Sequence, residues 1–368
     1  MENDNAFKNW INPAVVQKTS TTFKAVYPLF NGPRFQKISS KLKDLELKGR
    51  VLLITEALRL ELPEDFVATA KVLRDVMNEE KLTSFELWPI SEYISQFGTE
   101  HFEESFELMY QLTPQFTSEF AIRPFLLKDP QRVLKKLESW LTDENVHIRR
   151  WISEGSRPLL PWGAKIPSFV EKPATIHLLD ALKYDDELYV RNSIANHLND
   201  ISKHHPELVV ETLSRWVKAA PPQHHDKIQW IKKQALRTLI KKGHPKALGL
   251  MGVADKSAVK TTPLKLNKEK FKVGETLEFE VTLTSTSAKP QKLIVDYGIG
   301  FLKSNGAIST KIFKLKTLEL APREKIVIRK RHSLKAITTS TFYSGRHELV
   351  LQVNGKILTK TDWMFKVP

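Results

Sequence analysis

Apolar residues recur at helical spacing through roughly the first 250 positions. Val51 to Ile54, with Ala57, Leu58, Leu60 and Leu62, make a broad apolar stripe that Pro63 stops. Phe66, Ala70, Leu73 and Met77 repeat it at steps of three or four, which predicts a helix over 65–77. The same period predicts helices over 84–97, 102–112, 131–141 and 146–154, then over 175–182, 190–201 and 207–217, and finally over 227–241 and 245–251. These helices are related to one another. Ile148, Val190 and Ile231 occupy equivalent places in three similar segments, 42 and 41 residues apart, and each precedes a basic residue: Arg149, Arg191 and Lys232. A repeat of about 40 residues made of two helices is the signature of HEAT-like arrays. Stacked pairs give a solenoid with one concave face, and the repeated basic residue is expected to make that face cationic. An irregular helical domain with chance similarity is the alternative.

After about residue 255 the period changes. Leu277, Phe279, Val281 and Leu283 alternate with Glu278, Glu280, Thr282 and Thr284, the pattern of a half-buried strand. Further strands are predicted over 292–296, 311–320, 325–331, 347–353 and 358–367, and Asn354-Gly355 is a two-residue hairpin signal between the last two. About seven short strands in a segment of this length fit an immunoglobulin-like sandwich. The expected architecture is a HEAT-like α-helical solenoid, 1–255, followed by an immunoglobulin-like β-sandwich, 256–368, joined by a linker near 254–263.

Composition narrows the function. The chain has 368 residues and no cysteine, which excludes disulfides, thiolate metal sites and a cysteine nucleophile. No apolar run approaches the ~20 residues of a membrane-spanning helix. The start, Met1-Glu2-Asn3-Asp4-Asn5, has no basic segment followed by an apolar one. A soluble cytoplasmic protein is expected. Charge is unevenly placed: residues 258–368 carry 21 Lys/Arg against 9 Asp/Glu, a net of +12, of a total of +15. Such asymmetry points to a polyanionic partner, although a basic surface can also serve solubility alone.

Familiar catalytic motifs are missing. There is no His-Glu-x-x-His zinc motif and no Gly-x-x-x-x-Gly-Lys phosphate loop. Gly298-x-Gly300 reads as lying between strands, so no nucleotide cofactor is expected. His204-His205 and His224-His225 sit beside prolines without an obvious third ligand. Two segments remain. Arg149-Arg150-Trp151-Ile152-Ser153-Glu154-Gly155-Ser156-Arg157-Pro158-Leu159-Leu160-Pro161-Trp162 combines a carboxylate, three arginines and two tryptophans. Glu154 falls near a helix C-terminus, where the dipole disfavours an anion, and Arg150 and Arg157 are placed to hold it ionised. Thr117-Ser118-Glu119-Phe120-Ala121-Ile122-Arg123-Pro124-Phe125 sets a second carboxylate four residues before Arg123. By composition alone both are read as structural Glu–Arg pairs in a basic solenoid that binds nucleic acid.

The two segments resemble the AlkC branch of the AlkC/AlkD alkylation-repair DNA glycosylases. The resemblance extends over the whole chain, since one AlkC subgroup adds an immunoglobulin-like domain after its HEAT-like repeats. It implies that Glu119 and Glu154 are catalytic carboxylates and that Arg150, Arg157 and Trp162 contact DNA near the lesion. Arg123, Arg149 and Arg191 join these as candidate DNA contacts. Leu159 departs from an arginine found in many relatives. By the same resemblance the chain uses no cofactor and excises cationic alkylated bases, chiefly N3-methyladenine and in some members N3-methylcytosine, from duplex DNA. Such a base leaves without strong protonation, so two carboxylates suffice to stabilise the sugar cation and place a water. No lysine is singled out as a Schiff-base nucleophile, so hydrolysis without strand cleavage is expected, by a monomer. Glycosylases commonly extrude their target, whereas AlkD-type relatives are understood to leave it stacked. Two other classes compete: a HEAT-like damage-binding or scaffold protein that has lost the chemistry, and a protein-binding adaptor, which would leave the basic sandwich without a task.

Overall fold

The structure is a computed structural model that describes residues 7–336 and 341–367; positions 1–5, read above for a secretion signal, lie outside them. Helices follow one another from Pro13 to Leu250 and strands from Val259 to Lys366. No helix among the described residues is long and apolar enough to cross a membrane. By its contacts the chain forms two units, one of Met1–His204 with Pro221–Ile231, the other of His205–Ala220 with Lys232–Pro368.

Most predicted helices form with modest shifts of their ends, whereas 227–241 divides into His225–Ala235 and Arg237–Lys241. The segment 84–97 splits into a 3-10 turn, Ser84–Leu87, and a helix, Trp88–Phe97, because Pro89 fits only the first turn of a helix. The helix Val146–Gly155 starts at Asn145, whose side chain accepts from the His147 N–H, and packs against the helices Leu188–Ile201 and Ile176–Leu182. Trp151 anchors it inward, stacked on Trp140 at 5.4 Å and beside Phe106 at 6.3 Å.

The repeated arginines do something other than line a basic face. Arg149 Nη1 donates to the carbonyls of Asp143 and Glu144 at 2.8 and 2.9 Å, and its other nitrogens take both oxygens of Asp185. Arg191 Nη1 donates to the carbonyls of Asp185 and Asp186, each at 2.7 Å. Each guanidinium thus reaches back five and six residues to tie the turn that precedes its own helix. Lys232 is buried, with its ammonium on the Leu250 carbonyl at 3.1 Å. The expectation of a cationic face built from these residues is corrected: Arg149 and Arg191 are spent on the turns before their own helices, and Lys232 is buried. Ile231 is also not equivalent in place: it is seventh in the helix His225–Ala235, whereas Ile148 and Val190 are each third in theirs.

The second unit contains nine strands among the described residues: β1 (Val259–Thr261), β2 (Lys265–Leu266), β3 (Lys270–Lys272), β4 (Thr276–Ser285), β5 (Gln291–Leu302), β6 (Ile308–Leu320), β7 (Lys325–Ser333), β8 (Gly345–Val353) and β9 (Lys356–Lys366). One sheet has β4 between β7 on one side and β1 with β2 on the other; the second runs β3-β9-β8-β5-β6, antiparallel except for β3 with β9. Leu277, Phe279, Val281 and Leu283 meet Val295, Tyr297, Ile299, Leu351 and Trp363 in the core between the sheets. Asn354 and Gly355 turn from β8 to β9 with φ of 50° and 79°, the two left-handed residues of a type I′ hairpin. Gly298 and Gly300 lie inside β5, which corrects their reading as a connection. A Cβ on Gly298 would come within 2.7 Å of Thr310 and Val350 on the neighbouring strands, so glycine is what lets the three strands approach.

Candidate active site

The segment 153–162 leaves the helix Val146–Gly155 and is fixed residue by residue. The Ser153 carbonyl accepts from His197 Nδ1 at 2.9 Å, and the Thr175 hydroxyl lies 2.8 Å from His197 Nε2. With Nδ1 donating, Nε2 is the acceptor, so this arrangement suits a neutral imidazole. Burial pushes the His197 pKa down to about 4. The Ser156 hydroxyl returns to the Ile152 carbonyl at 2.6 Å. Gly155 is the residue that fits its place, since a Cβ there would lie 3.0 Å from the Trp151 ring.

Arg123, at the start of the helix Arg123–Lys128, runs beneath this segment. Its Nη1 donates to the carbonyls of Gly155 and Arg157 at 2.8 and 2.7 Å, and Nε to that of Ala164 at 2.8 Å. It is 1% exposed. Burial pulls its pKa down to about 10. Arg123 is therefore no DNA contact, which corrects the expectation: no phosphate reaches a guanidinium enclosed by main-chain carbonyls. It is the staple that shapes the loop carrying Glu154.

Glu154 is buried at the helix C-terminus. Its Oε1 accepts from Arg157 Nη1 at 2.6 Å, with Arg150 Nη2 at 3.7 Å, and its Oε2 accepts from the Ser193 hydroxyl at 2.7 Å. Arg157 is itself interior, between Glu154 and Asp200, with Nε and Nη2 each 2.8 Å from Asp200 Oδ2. Burial pulls the Arg157 pKa down, but the hydrogen bond to Asp200 and the charges of Glu154 and Asp200 outweigh it and hold it above its ordinary value. Arg157 thus orients Glu154 instead of offering a free cation to DNA. Glu119 stands opposite, and its Oε2 accepts from the Thr117 hydroxyl at 2.8 Å and from Arg150 Nη1. Arg150 bridges the two carboxylates and lays its guanidinium 5.2 Å from the Tyr189 ring. Glu119 Oε1 has no protein partner among the described residues.

Both carboxylates line one cavity of about 340 Å3 with Phe85, Trp88, Phe116 and Phe120. Trp88 stacks on Phe120 at 5.8 Å, and Phe85 meets Phe116 edge-on at 5.8 Å. Trp162 also lines the cavity. It is 72% exposed and its backbone is left-handed, φ 63°. A bulky residue held in that region costs energy and points to a site. Glu119 and Glu154 set two carboxylates beside a ring of aromatic side chains, an arrangement that suits a flat cation.

Of the residues expected at the site, the fold brings Glu119, Glu154, Arg150, Arg157 and Trp162 together and leaves Arg149 and Arg191 in their turns. Sequence reasoning missed Ser193, His197 and Asp200, which buttress Glu154. Their spacing of four and three puts them on one face of the helix Leu188–Ile201, and three polar residues on a buried helical stripe were the available signal.

The chain is 36% identical over 360 residues to the uncharacterized protein YhaZ of Bacillus subtilis (strain 168), covering 97% of this chain and 98% of that one. Residues 260–367 match the family described as the C-terminal Ig-like domain of YhaZ. The alkylpurine DNA glycosylase AlkC of Pseudomonas fluorescens, solved bound to DNA containing an abasic site analog, superposes with a TM-score of 0.89 at 36% identity, over 98% of this chain and 99% of that one. The chain belongs to the AlkC family of alkylpurine DNA glycosylases. Within an AlkC-type chain, the helical region followed by an Ig-like domain is thus the family's own architecture.

Proposed function

We propose that the chain is a DNA repair glycosylase that hydrolyses the N-glycosidic bond of cationic alkylated bases, N3-methyladenine first and N3-methylcytosine second, in duplex DNA. The observation that carries this reading is the pairing of Glu154 and Glu119 on one cavity walled by Trp88, Phe116 and Phe120. A base alkylated on a ring nitrogen already carries positive charge, so the bond breaks without a strong acid. What the site must supply is negative charge beside C1′ as the sugar becomes an oxocarbenium ion, and a water placed to trap it. Glu154, with both oxygens fixed by Arg157 and Ser193, is preorganised for the first task. Glu119 leaves Oε1 open toward the cavity and suits the second, accepting a proton from the attacking water. Asp200, itself held by Lys203 at 2.9 Å, occupies the other edge of Arg157 and fixes the guanidinium that orients Glu154.

No lysine lines the cavity among the described residues, in keeping with simple hydrolysis and an unbroken strand. Both carboxylates come from one chain, so a monomer is sufficient. The test is incubation with methylated duplex DNA, chromatography of the free bases, and electrophoresis of the strand before and after alkali. Release of N3-methyladenine with alkali-dependent breakage is expected. Breakage without alkali, or no base released by folded protein, would overturn the reading.

A further inference from the structure

A second recess, of about 450 Å3, lies wholly within the second unit, beside the bulged stretch of β5 and β6. Lys233, Arg237 and Lys241 line it from the helical side. They are spaced by four, so they follow one helical face. Lys314 and Lys316 line it from β6 on either side of the β-bulge opposite Val295 and Asp296, with Lys292 on β5. Six cations therefore surround one cavity. The sole carboxylate among its lining residues is Asp296, which is register partner to Lys314 at a β-bulge and 3% exposed. Ile240, Ile294 and Leu315 supply an apolar floor.

Arg237 is engaged, its Nη1 on the Gln234 carbonyl at 2.7 Å, whereas the five lysines are spent little. Lys233, Lys314 and Lys316 make no hydrogen bond or ion pair among the described residues, and Lys241 and Lys292 donate only to the carbonyls of Ile312 and Met251, at 3.1 and 3.0 Å. Like charges at these spacings repel one another, so the arrangement opposes folding unless something negative occupies it. The crowding is felt by Lys232 nearby, whose pKa is pushed down by burial and by Lys292. Asp296 offsets one charge of six. Burial pushes its pKa up, against the pull of Lys241 and Lys314, and its carboxylate accepts from the Leu315 N–H. The chemistry that fits donors at the rim, an apolar floor and one buried acceptor is a phosphate attached to a flat ring bearing an N–H.

We propose that this recess binds a nucleoside phosphate, the phosphate among the lysines, the ring over Ile240, Ile294 and Leu315, and a ring N–H toward Asp296. The ligand has two sources, a free nucleotide or a nucleotide of a DNA strand. The site shares no residue with the carboxylate cavity and does not depend on base release.

The experiment is a calorimetric titration of the full chain at low salt with ATP and with inorganic pyrophosphate, alongside binding of undamaged duplex over a salt series. The variant K233Q/K314Q/K316Q changes three exposed side chains without partners, so it should fold as the parent does. Affinity for ATP and pyrophosphate should fall by about tenfold or more, because charge-assisted contacts are lost. Asp296→Asn should instead tighten pyrophosphate binding, since a charge facing the anion has gone. If duplex displaces ATP, and the slope of log affinity against log salt is shallower in the triple variant by about 0.9 per lost phosphate contact, the source is the DNA strand. If duplex neither displaces ATP nor responds to the variant, the source is a free nucleotide. Single-turnover base release at saturating protein should keep the parental rate in the triple variant, so a chain that releases no bases leaves these titrations to stand alone. A triple variant indistinguishable from the parent with ATP, pyrophosphate and duplex overturns the proposal.

Discussion

Replacing Glu154 with glutamine removes one negative charge and leaves most of the local hydrogen bonding possible. The amide oxygen still accepts from Arg157, and the Ser193 hydroxyl turns to accept from the new NH2. Arg157 is not stranded, because Asp200 holds its other edge. The stability cost should therefore stay within ~1–2 kcal/mol, the range for a perturbed buried hydrogen bond. The catalytic cost is larger. A full charge about 4 Å from a developing sugar cation is worth about 4 kcal/mol at an effective dielectric of about 20. Single-turnover release of N3-methyladenine should accordingly fall by ~10²–10³. Affinity for undamaged duplex should stay level or rise, since a charge repelling phosphate is gone. The assay is release of free base with protein in excess, normalised to the folded fraction by thermal denaturation. A Glu154→Gln protein that folds and releases the base at the parental rate would refute the electrostatic role, and a large fall in stability with normal release per folded molecule would make Glu154 a structural partner of Arg157.

Four further outcomes test the surrounding parts. Glu119→Gln should slow release comparably, and the double variant should lose less than the summed single effects if both groups serve one transition state; additive losses would mean separate roles. Asp200→Asn loosens the partner that holds the other edge of Arg157 and so the guanidinium that orients Glu154, and release should drop roughly tenfold; an unchanged rate in folded protein removes Asp200 from the support of Glu154. Trp162→Gly should slow release while leaving the melting temperature level or higher, because a left-handed backbone costs a bulky residue ~1–2 kcal/mol and glycine nothing; early melting would make Trp162 a packing residue. Neutral burial of His197 predicts acid sensitivity: its pKa rises from about 4 folded to about 6.5 unfolded. The unfolded state therefore binds the extra proton between those values, so about 3 kcal/mol of stability present above pH ~6.5 is lost as pH falls toward 4. His197→Asn should flatten that part of a denaturant-midpoint profile, and an unaltered profile would contradict it.

What was legible in the sequence was what local pattern dictates. The alternation at 277–283 set a strand with its apolar face inward, and Asn354-Gly355 set a hairpin, because each is decided by neighbours in sequence. Glu154 and Trp162 were legible only through the resemblance of their segment to the AlkC branch, in which Gly155 and Ser156 fit their own turn. Arginine was not legible. Nothing local says where a guanidinium on a long stem will end: Arg123 reaches carbonyls 32 to 41 residues away, Arg149 and Arg191 fold back onto turns, and Arg157 lies between two carboxylates, one of them 43 residues distant.

These destinations bear on the mechanism. A basic chain near a cationic lesion faces a conflict, since the charge that attracts the phosphate backbone repels the base to be removed. The fold resolves it by spending arginines near the pocket on carbonyls and carboxylates. Arg123, whose guanidinium is the most enclosed of them, makes this testable. Arg123→Ala would leave the carbonyls of Gly155, Arg157 and Ala164 without their buried donor, at ~1–3 kcal/mol each before relaxation, so a loss of at least ~3 kcal/mol is expected in denaturant titration. Arg123→Lys should fail to rescue it, because one ammonium on a flexible stem cannot span three carbonyls. If Arg123 instead served DNA, both variants would keep parental stability, lysine would restore duplex affinity, and the salt slope would report one lost phosphate contact.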